Sequence, residues 1–167
     1  MDWNLQKSLS HLRENAKPGP APPYQCAKYV NMAIKAGGLE LRPVPFRYPG
    51  DGPSACDYGD YLEEVGFEIF YDNIDEDFRC ESYRAISGDI AIFMPISGGK
   101  ISGISIHMHK HGHIQMYDGV TNRWISDFRQ HNFFPGNDYR IKYDRFRIYR
   151  YTGLMCRRSN AKVDFSR

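Results

Sequence analysis

The sequence predicts one α+β domain in which helical segments come first and a meander of antiparallel strands follows. Before residue 66, apolar side chains recur at steps of three and four, which indicates one-sided helices. From residue 87 onward, short apolar or alternating runs are separated by turn residues, which indicates strands. The 167 residues suit a single domain with its own core. We expect that domain to span 1–167, with a helix and connector at 1–23 and a mobile tail at 157–167.

The first helix is predicted over residues 3–16. One face is apolar, and the charged side chains lie largely on the others. That apolar face consists of Trp3, Leu5, Leu9 and Leu12. Residues 18–23, four of which are proline, then form a stiff connector that leads to the next helix.

The second helix begins at or just before Cys26. Val30, Ala33 and Ile34 continue the helical spacing, and a pair of glycines starting at Gly37 ends it. A helix start presents unpaired backbone N–H groups and a partial positive charge, which stabilise a thiolate. Cys26 is therefore the candidate nucleophile. The alternative is a small buried apolar residue, which is the usual role of a lone cysteine.

The remaining elements follow from the same patterns. Residues 90–93 are apolar without a polar break, which suits a central strand covered on both faces. Residues 39–54 and 131–139 are rich in turn-forming and aromatic residues, and we expect them to form groove walls through Phe46 and Phe133. The other predicted elements are a helix at 57–65, strands at 67–70, 101–117, 123–128 and 143–151, and turns at 118–122 and 135–138.

Composition excludes several classes of function. The net charge of +2 gives no electrostatic case for binding nucleic acid. No run of 18 apolar residues is present, so we expect no membrane span. The N-terminus lacks the apolar core of a signal peptide, so we expect synthesis in the cytoplasm without such a peptide. Action elsewhere would require another transport machinery.

Three further cysteines, Cys56, Cys80 and Cys156, show neither C-x-x-C pairing nor zinc-ribbon spacing. In an oxidising compartment one disulfide could join two of them, and the sequence does not choose the pair. Three unrelated thiols are the equally open alternative.

A cysteine hydrolase needs an imidazole beside the thiol and a third polar group that orients the imidazole. His113 lies on a predicted strand, and a hairpin turning near Val120 brings it opposite residues 127 and 128. Asp127 would then accept a hydrogen bond from one ring nitrogen while the other nitrogen faces the thiol. Ser126 and Gln130 are weaker candidates for this orienting role.

Gln25 precedes the candidate nucleophile and could donate its side-chain amide N–H to a developing oxyanion, together with the backbone N–H of Cys26. Each residue also has a purely structural explanation. His113 could be a packed strand histidine, Asp127 a surface or turn acid, and Gln25 a helix cap.

A metal site is the competing hypothesis. His107, His109, His111 and His113 alternate, and on a regular strand they would share one face. Such a face could bind zinc in a metal-dependent hydrolase or a metal-binding module. No carboxylate lies at an obvious ligand spacing. A third possibility is an interaction protein that has this fold and no catalysis.

Three motifs in order carry a resemblance that covers about residues 24–130. They are Gln25-Cys26-x-x-Tyr29-Val30, then Gly88-Asp89-Ile90-Ala91-Ile92-Phe93, then Gly112-His113-Ile114 before a hairpin. The chain resembles the CHAP and NlpC/p60 cysteine peptidases, and its opening motif looks more like CHAP. The resemblance implies a papain-like core, in which a Cys-bearing helix packs on an antiparallel sheet.

The resemblance also implies hydrolysis of an amide bond in a peptidoglycan stem peptide, without a cofactor or a metal. It assigns Cys26 as nucleophile, His113 as general base and Asp127 as the third residue, a position that varies in this superfamily. The bond could be the sugar–peptide amide, the bond between D-Glu and the diamino acid, or the crosslink.

The build of the chain resembles the amidase effectors that type VI secretion injects into rival bacteria, because it shows neither a cell-wall-binding module nor a signal peptide. This resemblance implies action in the periplasm of a target bacterium and a cognate immunity protein that plugs the site. A phage-type lysin catalytic module is the alternative.

Overall fold

The structure, a computed structural model, describes residues 2–74, 83–142 and 145–154. It confirms the α+β class, with a five-stranded antiparallel sheet and helices packed against it. The helices are α1 Leu5–Asn15, α2 Cys26–Ala36, α3 Gly59–Glu64 and α4 Asn137–Lys142, with a 3₁₀ turn at Ala55–Asp57. The strands are β1 Phe67–Asp72, β2 Ile90–Phe93, β3 Gly99–Ile101, β4 Ile104–Ile106, β5 His113–Asp118, β6 Arg123–Ile125 and β7 Phe146–Tyr151.

The main sheet has the strand order β1–β7–β2–β5–β6, and every neighbouring pair is antiparallel. Strand β2 lies at its centre, and all four of its residues are buried, as the unbroken apolar run predicts. The register pairs Phe93 with His113 and Ile92 with Ile114. The candidate base is therefore the first residue of a strand that lies next to the central one.

The two sheet faces pack against different partners. Helices α1 and α2 contact each other, α2 also contacts β5, and Val30, Ile34, Ile92 and Ile114 are buried between them. Full burial of such side chains contributes about 1.5–3 kcal/mol each. The other face is covered by an aromatic cluster around Phe93. The Cys-bearing helix is thus fixed to the strand that begins with His113.

Helices α1 and α2 approach closely where α2 ends. A Cβ atom added at Gly37 would overlap Ser8 Oγ and the Trp3 indole, so only glycine fits between them. Asn4 caps α1 by accepting a hydrogen bond from Lys7 N at 3.0 Å. In the described ranges, no helix is long and apolar enough to cross a membrane.

The predicted strand at 101–117 is not continuous. Strands β3 and β4 form a separate two-stranded sheet, and β5 begins only at His113. Gly103 and Gly112 have φ values of +80° and +66°, which interrupt the extended backbone. A Cβ at Gly112 would also overlap the carbonyl oxygen of Phe93.

Other boundaries also differ from the prediction. The return strand predicted at 123–128 ends at Ile125, because the chain bends back and Ile125 bridges to Arg129. The turn predicted at 135–138 leads directly into α4, which buries Tyr139. The predicted tail at 157–167, Cys80 and Cys156 lie outside the described residues, so the disulfide and the mobile tail stay predictions.

Candidate active site

Cys26 is the first residue of α2, and its thiol is free and half-buried. It lies where two clefts meet. The helix-side cleft, about 470 Å³, is lined by the start of α2 and by residues 51–58. The histidine-side cleft, about 730 Å³, is lined by residues 107–113, by Asp127 and by the start of α4. Tyr24, Cys26 and His111 line both clefts.

The segment that leads to Cys26 is held at both ends by the chain after β6. Asp127 accepts a backbone hydrogen bond from Lys17 N at 2.9 Å, and its carboxylate accepts one from Gln25 N at 3.0 Å. Lys17 Nζ donates to the carbonyl oxygens of Ala21 and Pro23 at 2.8 and 2.9 Å. The position of Cys26 therefore depends on Asp127.

His113 is only 7% exposed and lines the histidine-side cleft together with Cys26. Its Nε2 lies 3.0 Å from Gln130 Oε1. Its Nδ1 makes no hydrogen bond to the part of the chain that the structure describes. Nδ1 has no hydrogen-bond partner there, yet it is not fully buried. Among the described residues, the one side-chain nitrogen or oxygen that is both fully buried and unpartnered belongs to His11, so Nδ1 of His113 is open to the cleft.

The structure thus places Gln130, rather than Asp127, on the imidazole of His113. We expected the hairpin to bring Asp127 opposite His113, but the ladder between β5 and β6 ends at Ile125. The bend that follows turns the Asp127 carboxylate towards Gln25 and places the Gln130 amide against His113. Burial lowers the pKa of His113, and the charge of Asp127 partly opposes that effect.

The thiol and the imidazole are both uncharged near neutral pH. Burial raises the pKa of the Cys26 thiol to about 11, while hydrogen bonds from the backbone of Ile114, Ala27 and Cys26 act in the opposite direction. Burial lowers the pKa of His113 to about 4, against the Gln130 hydrogen bond and the Asp127 charge. Burial thus works against the thiolate that the helix start favours.

Gln25 occupies the N-cap position of α2 but makes no side-chain capping bond. Its side chain is half-buried and lines the helix-side cleft beside Cys26. The capping explanation therefore does not apply, and a role in binding an oxyanion stays a prediction.

The four alternating histidines divide among three partners: His107 and His109 share Asp138, His111 faces Asp51, and His113 faces Gln130. His109 and His107 lie 2.8 and 3.4 Å from Asp138. His111 lies 3.3 Å from Asp51, and its Nδ1 is 2.7 Å from Ser54 Oγ. The common strand face that the zinc hypothesis required does not form. Among the described residues, no group of three or more His, Cys, Asp or Glu side chains is arranged to hold a metal ion.

Two residues contribute more to the candidate site than the sequence indicates. Gln130 is one of the weaker orienting candidates in the sequence, because its contact with His113 depends on the bend after β6. Tyr139, the last residue of the predicted groove wall at 131–139, lines the histidine-side cleft, and its ring centroid lies 4.9 Å from that of His109. Both segments expected to form groove walls contribute to the clefts, through residues 51–53 and 135–139, but Phe133 itself packs on Phe93, at 5.1 Å between centroids. Phe46 is exposed.

The sequence matches no protein-family model and no curated protein. Solved structures give a clearer result. The native type VI effector–immunity complex Tae3–Tai3 from Ralstonia pickettii contains a chain with 30% identity and a TM-score of 0.63. The match covers 89% of this chain and 99% of that one.

The selenomethionine form of the same complex gives 30% identity and a TM-score of 0.60, over 86% of this chain and 98% of that one. In both complexes the similar chain is the effector, Tae3. The two matches therefore extend over nearly the whole effector. The chain belongs to the family of the type VI secretion effector Tae3.

Proposed function

We propose that this protein is an antibacterial cysteine amidase that cleaves an amide bond in peptidoglycan stem peptides. The observation that carries the proposal is the disposition of His113. Its Nε2 is bonded to Gln130, and its Nδ1 is left open to the cleft that also contains Cys26. A thiol, an imidazole and an orienting amide are the parts of a cysteine hydrolase.

In the proposed reaction, Nδ1 of His113 takes the thiol proton as the Cys26 sulphur attacks the carbonyl carbon of the scissile amide. The C–N bond then breaks, and the imidazolium gives its proton to the leaving amine. Water, activated by the same nitrogen, hydrolyses the thioester and restores the thiol. The backbone N–H of Cys26 and the side chain of Gln25 are the proposed donors to the oxyanion.

A neutral resting pair suits this sequence of steps. Because burial disfavours both the thiolate and the imidazolium, proton transfer is expected to accompany attack rather than to precede it. The imidazolium is then stabilised by Gln130 and by the charge of Asp127, which both oppose the lowering of the His113 pKa by burial. We assign Gln130 the orienting role and Asp127 the task of holding Gln25 beside the nucleophile.

Membership of the Tae3 family supports the biological part of the proposal. We propose that the protein acts in the periplasm of a target bacterium after type VI delivery and that a cognate immunity protein inhibits it. The exposed side chains of Tyr24, Met32 and Met108 line the clefts beside Cys26 and offer apolar surface to such a partner. A phage-type lysin module would catalyse the same reaction, and the Tae3 likeness favours the effector.

Digestion of purified peptidoglycan tests the enzyme class and identifies the bond. Wild-type protein should release fragments that mass spectrometry assigns to one amide, and Cys26→Ala should release none. Cys56→Ala is the matched control, because Cys56 is also a free thiol and its backbone N–H is bonded to residue 111 of the histidine segment. Intact peptidoglycan with the wild type, or equal digestion by Cys26→Ala, would refute the proposal.

A further inference from the structure

A buried polar chain lies behind His113. Gln115 is two residues further along β5, so its side chain points to the same face as that of His113. It is fully buried, and that face otherwise packs an aromatic and aliphatic cluster that includes Phe93 and Trp124. Burying an amide among such side chains is costly unless its hydrogen bonds are made. The structure shows where they go.

Three hydrogen bonds connect His113 to the backbone through two amides. His113 Nε2 is 3.0 Å from Gln130 Oε1, and Gln130 Nε2 is 2.7 Å from Gln115 Oε1. Gln115 Nε2 is 2.8 Å from the carbonyl oxygen of Phe133. Gln130 and Gln115 are 2% and 0% exposed, so water does not compete along this chain.

The direction of the chain follows from its last member. A backbone carbonyl only accepts, so the Gln115 amide must turn its NH₂ group to Phe133 and its oxygen to Gln130. Gln130 must then present its NH₂ group to Gln115, and the carbonyls of Asn132 and Phe133, at 3.2 and 3.4 Å, favour the same orientation. The oxygen of Gln130 is left for His113, which has to donate from Nε2.

We propose that Gln115 and the Phe133 carbonyl are positioning groups that fix the proton of His113 on Nε2 through Gln130, so that the lone pair on Nδ1 faces Cys26. The opposite tautomer would place the Nε2 lone pair against the Gln130 oxygen. A neutral imidazole carries its basic site on one nitrogen only. The chain therefore decides which nitrogen is the base. The role of Nδ1 as a catalytic base rests on the proposed function, whereas the position of the proton on His113 does not depend on it.

The first experiment measures the tautomer directly. Long-range ¹H–¹⁵N correlation spectra of uniformly ¹⁵N-labelled wild-type protein at pH 6, above the His113 pKa of about 4, should show a single Nε2–H form for His113. His113→Gln assigns the resonance. A wild-type spectrum with the proton on Nδ1 would overturn the proposal, whatever the variants show.

Gln115→Met then removes both amide groups at similar length. The Gln130 NH₂ group then loses its shortest hydrogen bond, the one to Gln115, and keeps only those to the carbonyls of Asn132 and Phe133. A second His113 tautomer should therefore appear. The value of kcat on peptidoglycan fragments should fall about two- to tenfold, as expected for one lost hydrogen bond, with KM little changed. A single Nε2–H form together with an unchanged kcat would refute the inference.

Two further variants separate tautomer control from simple loss of packing. Met116→Leu alters the neighbouring buried position on the opposite face of β5, and it should leave the tautomer and kcat unchanged. Gln115→Glu should restore the Nε2–H form at pH 6, because burial keeps the carboxyl protonated and able to donate to Phe133. Failure of that rescue in a folded Gln115→Glu protein would count against the inference.

The spectra also separate this inference from the proposed function. If peptidoglycan stays intact while Gln115→Met still shifts the tautomer, the enzyme assignment fails and the positioning chain stands. If peptidoglycan is digested and the His113 tautomer is unchanged in Gln115→Met, the inference about Gln115 is refuted and the enzyme assignment stands.

Discussion

Replacement of Gln130 by methionine should identify the residue that orients His113. The variant leaves the buried Nε2–H of His113 and Oε1 of Gln115 without partners. Each unsatisfied buried group costs about 1–3 kcal/mol, so the free energy of unfolding should fall by about 2–6 kcal/mol. Only the loss of the partner of His113 Nε2–H affects catalysis. It corresponds to about a five- to 150-fold decrease in kcat.

The matched variant is Asp127→Asn. Asparagine keeps an oxygen that can accept the hydrogen bond from Gln25 N, and it removes the negative charge that acts on both His113 and Cys26. We expect kcat to stay within about threefold of the wild type, because a positioning contact of similar geometry remains. Initial rates on purified peptidoglycan fragments and urea unfolding curves give both quantities. A larger loss of kcat in Asp127→Asn than in Gln130→Met would refute our reasoning and restore Asp127 as the third catalytic residue.

Three further predictions concern pH, backbone and metal. The lowered pKa of His113 should place the acid limb of kcat/KM near pH 4 rather than 6.5. The unfolded chain protonates His113 at a higher pH than the folded protein does, so acidification destabilises the fold. Between pH 7 and pH 4 the free energy of unfolding of the wild type should fall by about 3 kcal/mol more than that of His113→Gln, as measured by urea titration at each pH. Gly112→Ala should destabilise the fold by about 1–3 kcal/mol, since it strains a positive φ and drives Cβ into the Phe93 carbonyl; wild-type stability would contradict the geometry. EDTA should leave digestion unchanged, because the described residues contain no group of three or more His, Cys, Asp or Glu side chains arranged to hold a metal ion, and a loss of activity would revive the zinc hypothesis.

The elements that were predicted well are those with local causes. Helix α2 and strand β2 each carry a periodic or unbroken apolar pattern, and both appear within a residue or two of the expected bounds. Cys26 at a helix start follows from the proline-rich connector before it and the glycines after it. These features depend on neighbours in the sequence, so a sequence can reveal them.

The features that were missed depend on contacts between distant residues. A glycine at 112 can continue a strand or end one, and the nearby Phe93 carbonyl belongs to a different strand. Likewise, nothing near Asp127 in sequence shows that the chain bends after Ile125. That bend places the Gln130 amide, rather than the Asp127 carboxylate, against the imidazole of His113. The pKa of Cys26 has a related dependence, since a sequence shows the helix start, which favours the thiolate, but not the burial, which disfavours it.

The double attachment of the proline-rich connector has a consequence for how this family can vary in length. Lys17 and Gln25 are both bonded to Asp127, so the residues between them span a fixed gap between the end of α1 and the nucleophile. Because the connector is not helical, each residue deleted from it would remove up to about 3.5 Å of reach between α1 and Cys26, and each residue inserted would add the same length of slack. The tip of the β3–β4 hairpin, exposed at Ser102 and Gly103, carries no such constraint. We therefore expect insertions and deletions among relatives at that hairpin and not in the connector, whose length fixes the position of Cys26.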